Sequence, residues 1–299
     1  MRHKDLLQRF LFENLPIRGE LAHLEKSYQT IINQHNYPPA IRRLLGEALV
    51  ISVLLSATIK FNGRLTVQFR GKGNLKLLLA QCTDQFQIRG LAQWDGDVSY
   101  EDLMNSFEEG ILAIMLDSPK SKSPYQGVVS WKGNSLVESI EHYFKHSEQL
   151  ITKLWLAVTE KEAAGLLLQV VPGADKAAPK MEKDFVDFHW DALQQLSSTL
   201  QSDELLHLDH LTLLRRLYPE QEVRVFPSVP IEFRCTCSLE RSEEAIALLG
   251  REEAEEELRD KQKIIVTCDF CSQEYIFDRS TVEKIFAKKT MQSNHKHLH

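Results

Sequence analysis

Between residues 64 and 171 the hydrophobic positions fall into short, strand-length runs. They are RLTVQFR (64–70), LKLLLAQC (75–82), QIRGLAQW (87–94), ILAIML (111–116), YQGVVSW (125–131), KLWLAV (153–158) and GLLLQVV (165–171). GKGN (71–74) has the glycines of a hairpin turn between the first two. Two stretches carry a helical pattern instead. YPPAIRRLLGEALVISVLLSATIKF (37–61) has Pro39 at its start and is apolar nearly all round, so it belongs inside the larger domain. SLVESIEHYFKH (135–146) reads as a helix between strands. The opening MRHKDLLQRFLFENL reads as an amphipathic first helix, without the sustained apolar core or cleavage site of a secretion signal. Strands with helices between and beside them predict an α+β fold, a mostly antiparallel sheet domain (1–178) built around a buried helix.

VPGADKAAPKMEK (171–183) is a break in composition, and a helical linker (179–229) is expected beyond it. KDFVDFHWDALQQLSSTL (183–200) spaces Val186, Trp190, Leu193, Leu196 and Leu200 along one helix face, which Phe185 and Phe188 widen. DHLTLLRRLYPE (209–220) is a second helix, capped by Asp209 and stopped by Pro219. So apolar a connector needs cover, and Phe185, Phe188, Trp190 and Leu193 are expected to lie against the large domain. The last segment (230–299) has helical stretches around Gly250, with an acidic solvated face from Glu252 to Asp260. KIIVTCDFCSQEYIFD has the pattern of a hairpin turning at Asp269–Phe270, and Ser280 and Glu283 have the spacing of a capping box for a closing helix. The final HKHLH is expected to be a mobile end.

Composition restricts little. At 299 residues, 43% hydrophobic and 26% charged, the chain is long enough for a large domain and a small one. It has no run of eighteen apolar residues, so no membrane span is predicted. The net charge of −6 divides into +1 over 1–178, −4 over 179–229 and −3 over 230–299. An acidic tail disfavours the alternative of a structural zinc ribbon that binds nucleic acid, because phosphate binding needs concentrated positive charge. A cytoplasmic location is expected, where thiols stay reduced and clustered cysteines serve as metal ligands or redox groups.

Four of the five cysteines lie in RCTCS (234–238) and TCDFCS (267–272). Cys235, Cys237, Cys268 and Cys271 thus form two close pairs about thirty residues apart, the signature of a four-thiolate site for one zinc ion. Cys82, alone on an apolar strand, reads as a core residue. A tail with few large apolar side chains builds little core. Structural zinc contributes about 10–16 kcal/mol, comparable with a whole domain's stability of about 5–15 kcal/mol. The metal is therefore expected to decide whether the tail folds. Oxidation would convert each close pair, Cys235–Cys237 and Cys268–Cys271, to a disulfide that can no longer offer two thiolates to the metal. Spacing alone does not separate such a switch from an inert zinc clamp. An enzyme is not expected. HYFKH (142–146) has Tyr143 where a zinc protease needs glutamate, GKGNLK lacks the residues of a phosphate or dinucleotide loop, and G-x-S-x-G is absent.

Several blocks resemble the heat-shock protein 33 family of redox-regulated chaperones: LFENLPIRGEL (11–21), YQGVV (125–129), YFKHSEQL (143–150), LLLQVVP (166–172), LLRRLYPEQEVRVF (213–226), FRCTCS (233–238) and CDFCSQEYIF (268–277). Some relatives have a further cysteine near the position of Ser242, which is not a ligand in the pattern. The resemblance implies an ATP-independent holdase, inactive when reduced and zinc-bound. Oxidative stress expels zinc, forms the two disulfides, loosens tail and linker and exposes surface for unfolding client proteins. It further implies a homodimer when oxidised, and transfer of clients to ATP-dependent foldase chaperones.

Overall fold

The computed structural model describes residues 5–108, 110–118, 125–131, 135–171 and 183–296. Two strands, β1 (Leu6–Phe12) and β2 (Ile17–Leu24), open the chain, followed by α1 (Lys26–Ile32) and the long helix α2 (Pro39–Thr58). Next come β3 (Arg64–Arg70), β4 (Leu75–Thr83), β5 (Gln87–Trp94), α3 (Tyr100–Glu108), β6 (Ile111–Asp117) and β7 (Tyr125–Val129). Helix α4 (Leu136–Tyr143) runs into a π-helical turn at Phe144–Glu148, and β8 (Thr152–Val158) and β9 (Ala163–Val170) follow. Helices α5 (Lys183–Ser198), α6 (Ser202–His207) and α7 (His210–Leu217) lead to the short strands β10 (Val223–Val225), β11 (Val229–Pro230) and β12 (Glu232–Phe233). The tail holds α8 (Leu239–Leu249), α9 (Arg251–Lys261), β13 (Lys263–Thr267), β14 (Glu274–Asp278) and α10 (Arg279–Lys296). The chain forms two compact units, Met1–Arg234 and Cys235–His299.

In the first unit one sheet runs β10-β1-β2-β9-β8, with β11 also pairing with β1. The other runs β12-β5-β4-β3-β6-β7. All pairings are antiparallel except β12 on β5. Helix α2 touches strands of both sheets, and its buried Leu45, Leu49, Ile51 and Leu54 join side chains from each in one core. Pro39 occupies its first turn, where a missing N–H costs nothing. Gly165 on β9 lets the helix come close, since a Cβ there would sit 2.5 Å from Val50 Cγ1. This is the α+β fold with a buried helix that the pattern predicts. Cys82 is fully buried in that core, and burial pushes its thiol up to about 12, so it is inert packing.

The opening segment corrects the sequence reading: it is strand β1, and no helix forms there. The cause is burial on both faces. Leu7 enters the α2 core, while Phe10 and Phe12 enter a second core on the opposite face of the same sheet. A strand covered on both sides loses its alternation, and LLQRFLF then mimics a helical repeat. Likewise β9 is buried along nearly its whole length. Among the described residues no helix is long and apolar enough to cross a membrane.

Helices α5 to α7 form that second cover. Trp190, Leu193, Leu205, Leu213, Leu217 and Tyr218 pack on Phe10, Phe12, Leu21 and Leu166. Tyr218 meets Phe12 edge-on at 5.0 Å, and its hydroxyl lies 2.6 Å from Ser197 Oγ. Asp209 caps α7, accepting from Thr212 N at 3.0 Å, as its position suggested. Trp190 and Leu193 are buried as expected, but Phe185 and Phe188 are 46% and 71% exposed. The expectation that all four lie against the sheet is therefore wrong for the two phenylalanines. They sit on the flank of α5 that turns away once Trp190 and Leu193 face the strands. The composition break (171–183) lies, but for its ends, outside the described residues, as do residues 297–299 of HKHLH.

A polar cluster also ties this cover to the sheet. Glu162 lies 3.0 Å from His23 Nε2 on β2 and 3.2 Å from His207 Nε2 on α6, whose Nδ1 reaches Asp203 at 2.9 Å. His210 on α7 is lowered to about 4, by burial first and then by the nearby His23, against a favourable Asp209. Its folded value lies below its unfolded one, so its contribution to docking is whole above about pH 6.5 and is lost as pH falls toward 4, at most about 3 kcal/mol. Acidification from pH 7 to 5 should raise amide hydrogen exchange in α6 and α7, and His210→Leu should diminish that rise. Equal acid sensitivity in native and variant chains would exclude His210 as the cause.

Candidate metal centre

The second unit builds its site from two loops. The first is the extended stretch entering α8. Ser238 caps that helix, accepting from Arg241 N at 3.3 Å, and Arg241 Nη1 donates to Thr236 O at 2.6 Å and Thr236 Oγ1 at 2.8 Å. The arginine thereby fixes the residue between Cys235 and Cys237. The second loop is the β13–β14 turn. There Cys268 N donates to Gln273 O at 2.9 Å and Ser272 N to Cys268 O at 2.8 Å. Ser272 adopts a left-handed conformation (φ 54°) that curls Cys271 back toward Cys268.

All four sulfurs lie within 4.8 Å of one another. Cys235 Sγ is 3.6 Å from Cys268 Sγ, and Cys237 Sγ is 3.5 Å from Cys271 Sγ. Tetrahedral thiolate ligation at about 2.3 Å sets neighbouring sulfurs about 3.8 Å apart, so the cluster fits one ion with little adjustment. Among the described residues it is the one group of three or more His, Cys, Asp or Glu with ligand atoms so close. The cysteines are free thiols. Their titration is divided. Burial pushes Cys235 and Cys271 up. Cys237 is drawn down to about 7, where burial is outweighed by hydrogen bonds from the Tyr275 hydroxyl and the other thiols. Such sulfurs share their protons; four thiolates at this spacing require a cation.

The remaining packing is slight. Ile246, Ala254, Leu258, Ile264, Phe277, Val282, Ile285 and Phe286 form the tail's core, and α9 presents its acidic residues to water. Gly250 joins α8 to α9 at φ 107°, a conformation that favours glycine. The closing helix differs from expectation at its start. Asp278 caps it, accepting from Thr281 N at 2.8 Å, while Ser280 lies within the helix. Ser242 is an ordinary α8 residue whose hydroxyl donates to Ser238 O at 3.0 Å. The rings of His142 and His146, on α4 and its π-helical turn in the first unit, lie tilted with centroids 4.2 Å apart. Arg241 and Tyr275 shape the site without any signal in the sequence, since one reads as a helix charge and the other as an ordinary strand residue.

Comparisons with known proteins agree over nearly the whole chain. The family model described as Hsp33 protein matches residues 5–278. The 33 kDa chaperonin of Nitrosococcus oceani is 42% identical over 289 residues, covering 97% of this chain and 96% of that one. That of Shewanella loihica is 40% identical over 284 residues, covering 95% and 96%. The crystal structure of the 33 kDa chaperonin (heat shock protein 33 homolog) from Thermotoga maritima superposes with a TM-score of 0.80 at 21% identity, covering 97% and 99%, which shows a shared fold. With its four thiols gathered and the family model matching from β1 through β14, the chain belongs to the Hsp33 family.

Proposed function

We propose that this chaperone is a redox-regulated, ATP-independent holdase whose trigger is the four-cysteine centre. The observation that carries the reading is the convergence of Cys235, Cys237, Cys268 and Cys271 in a unit with so small a core. Zinc is the ion that suits a closed tetrahedral set of thiolates; when bound it neutralises them and keeps the tail ordered. The domain roles follow: 1–178 as the client-binding and dimerisation domain, 179–229 as a metastable linker and 230–299 as the switch.

In this reading a thiolate attacks peroxide, forming a sulfenic acid and releasing hydroxide. A neighbouring thiol then displaces water from the sulfenic acid to close the disulfide. In the folded centre the short sulfur distances run between loops, at 3.5 and 3.6 Å. Once the cluster opens, partners two or three residues apart meet far more often than partners thirty apart. This favours Cys235–Cys237 and Cys268–Cys271.

Loss of order in the tail then frees the end of the linker. Trp190 and Leu193 leave the sheet, and they join the already exposed Phe185 and Phe188 in a surface for unfolded clients. Dimerisation of the oxidised form, hand-over to ATP-dependent foldases and a cytoplasmic setting complete the proposal.

Peroxide treatment of the zinc-loaded, reduced chain at elevated temperature should release zinc as it gains the ability to suppress client aggregation, followed by light scattering. Equal suppression before and after oxidation would remove the proposal. Cys268→Ser should abolish tight zinc binding in a chelator competition, and Cys82→Ser should leave it intact. Peptide mapping of the oxidised chain should recover the two within-loop disulfides, and between-loop pairs would contradict the opening step. Leu193→Ala should weaken linker docking by about 2–5 kcal/mol and give holdase activity without oxidant. A variant silent until oxidised would show that the linker does not mask the client surface.

A further inference from the structure

Resting on the zinc-switch reading, we infer that the Tyr275 hydroxyl is a positioning group for the metal centre, donating a hydrogen bond to Cys237 Sγ that steadies this sulfur as a ligand and blunts its attack on oxidants. The hydroxyl stands 3.3 Å from the sulfur. Its ring has little freedom to leave. Tyr275 lies on β14, two residues from the buried Phe277 and therefore on the same strand face, and it packs against the small tail core. Across the hairpin it pairs with Val266, which also packs on that core.

Cys237, in the stretch entering α8, and Tyr275, on β14, belong to different elements, so this bond joins the two parts of the site. A hydroxyl pointed at a metal-bound thiolate withdraws charge from sulfur and occupies a lone pair. The sulfur keeps its place but becomes a poorer nucleophile. Partners of this kind are typically worth about 10–100-fold in metal affinity. A single hydroxyl thus links the hairpin's register to the C-x-C loop more than thirty residues earlier.

The test uses the full reduced chain, stripped of metal and titrated with zinc against a chromophoric chelator and, separately, with cobalt followed by absorption. Tyr275→Phe keeps the ring and removes the donor. It should bind zinc about 10–100-fold more weakly, move the thiolate-to-cobalt charge-transfer band to longer wavelength and release metal faster under peroxide. Ile276→Ala, at an exposed position on the opposite strand face, should leave all three readouts native. Native affinity together with a native band in Tyr275→Phe would overturn the inference. Should that variant fail to fold at saturating zinc, 3-fluorotyrosine at 275 replaces it. As a stronger donor it should move the band to shorter wavelength, and an unmoved band overturns the inference equally. Failure of the native chain to bind either metal would instead remove the zinc reading beneath it.

Discussion

Four sulfurs within 4.8 Å of each other hold their arrangement as thiolates only around a cation, and the second unit depends on that constraint. Among the described residues its buried apolar core is eight side chains. Its charged helix α9 buries Ala254 and Leu258 and turns its acidic residues to water. Such a segment gains little from burial against the conformational entropy of ordering it. In the proposed zinc switch, whatever neutralises the thiolates decides whether this unit is ordered, and chemistry that consumes thiolates acts directly on folding. Thiolates combine ligand and reactive group in one atom, which makes the coupling possible.

The first unit has the opposite character around α2, and a second, smaller core lies under α5 to α7. One sheet serves two cores. On its α2 side the packing is continuous with the other sheet, through Leu45, Leu49, Leu65, Val67 and Leu167. On its other side the cover is three helices held by Trp190, Leu193, Tyr218 and a few leucines, with polar ties at Ser197–Tyr218 and His23–Glu162–His207. Removing that cover would bare an apolar sheet face while leaving the α2 core whole. Phe185 and Phe188 already stand in water beside it.

Much of the strand pattern was legible because β3 to β8 are of ordinary length and bounded by glycine, polar turns or proline. The buried helix was legible because it is apolar on every side and opens with Pro39. The N-terminal strand was not, because Phe10 and Leu7 point into different cores and the alternation that marks a strand vanished. The short helix α6 escaped for want of length, and Asp278 replaced Ser280 as the cap because the strand-to-helix corner falls two residues earlier than the serine suggests. Phe185 and Phe188 were misjudged because a helix with apolar residues around more than half its circumference does not say which part it buries.

What the sequence determined alone is the identity of the four thiols that gather at the site. Two tight pairs of thiols carry a recognisable metal-ligand spacing, and that spacing brings each pair to one loop. What only the tertiary structure decided is how the pairs meet, with Cys235 beside Cys268 and Cys237 beside Cys271, and which groups touch them from elsewhere. Tyr275 reaches Cys237, and Arg241 holds Thr236, through contacts between elements distant in the chain or turned by a helix. Local pattern fixes what a residue can do. Which sulfur receives a hydroxyl, and which aromatic ring is buried, follows from how strands and helices are stacked, and no short stretch of sequence records that.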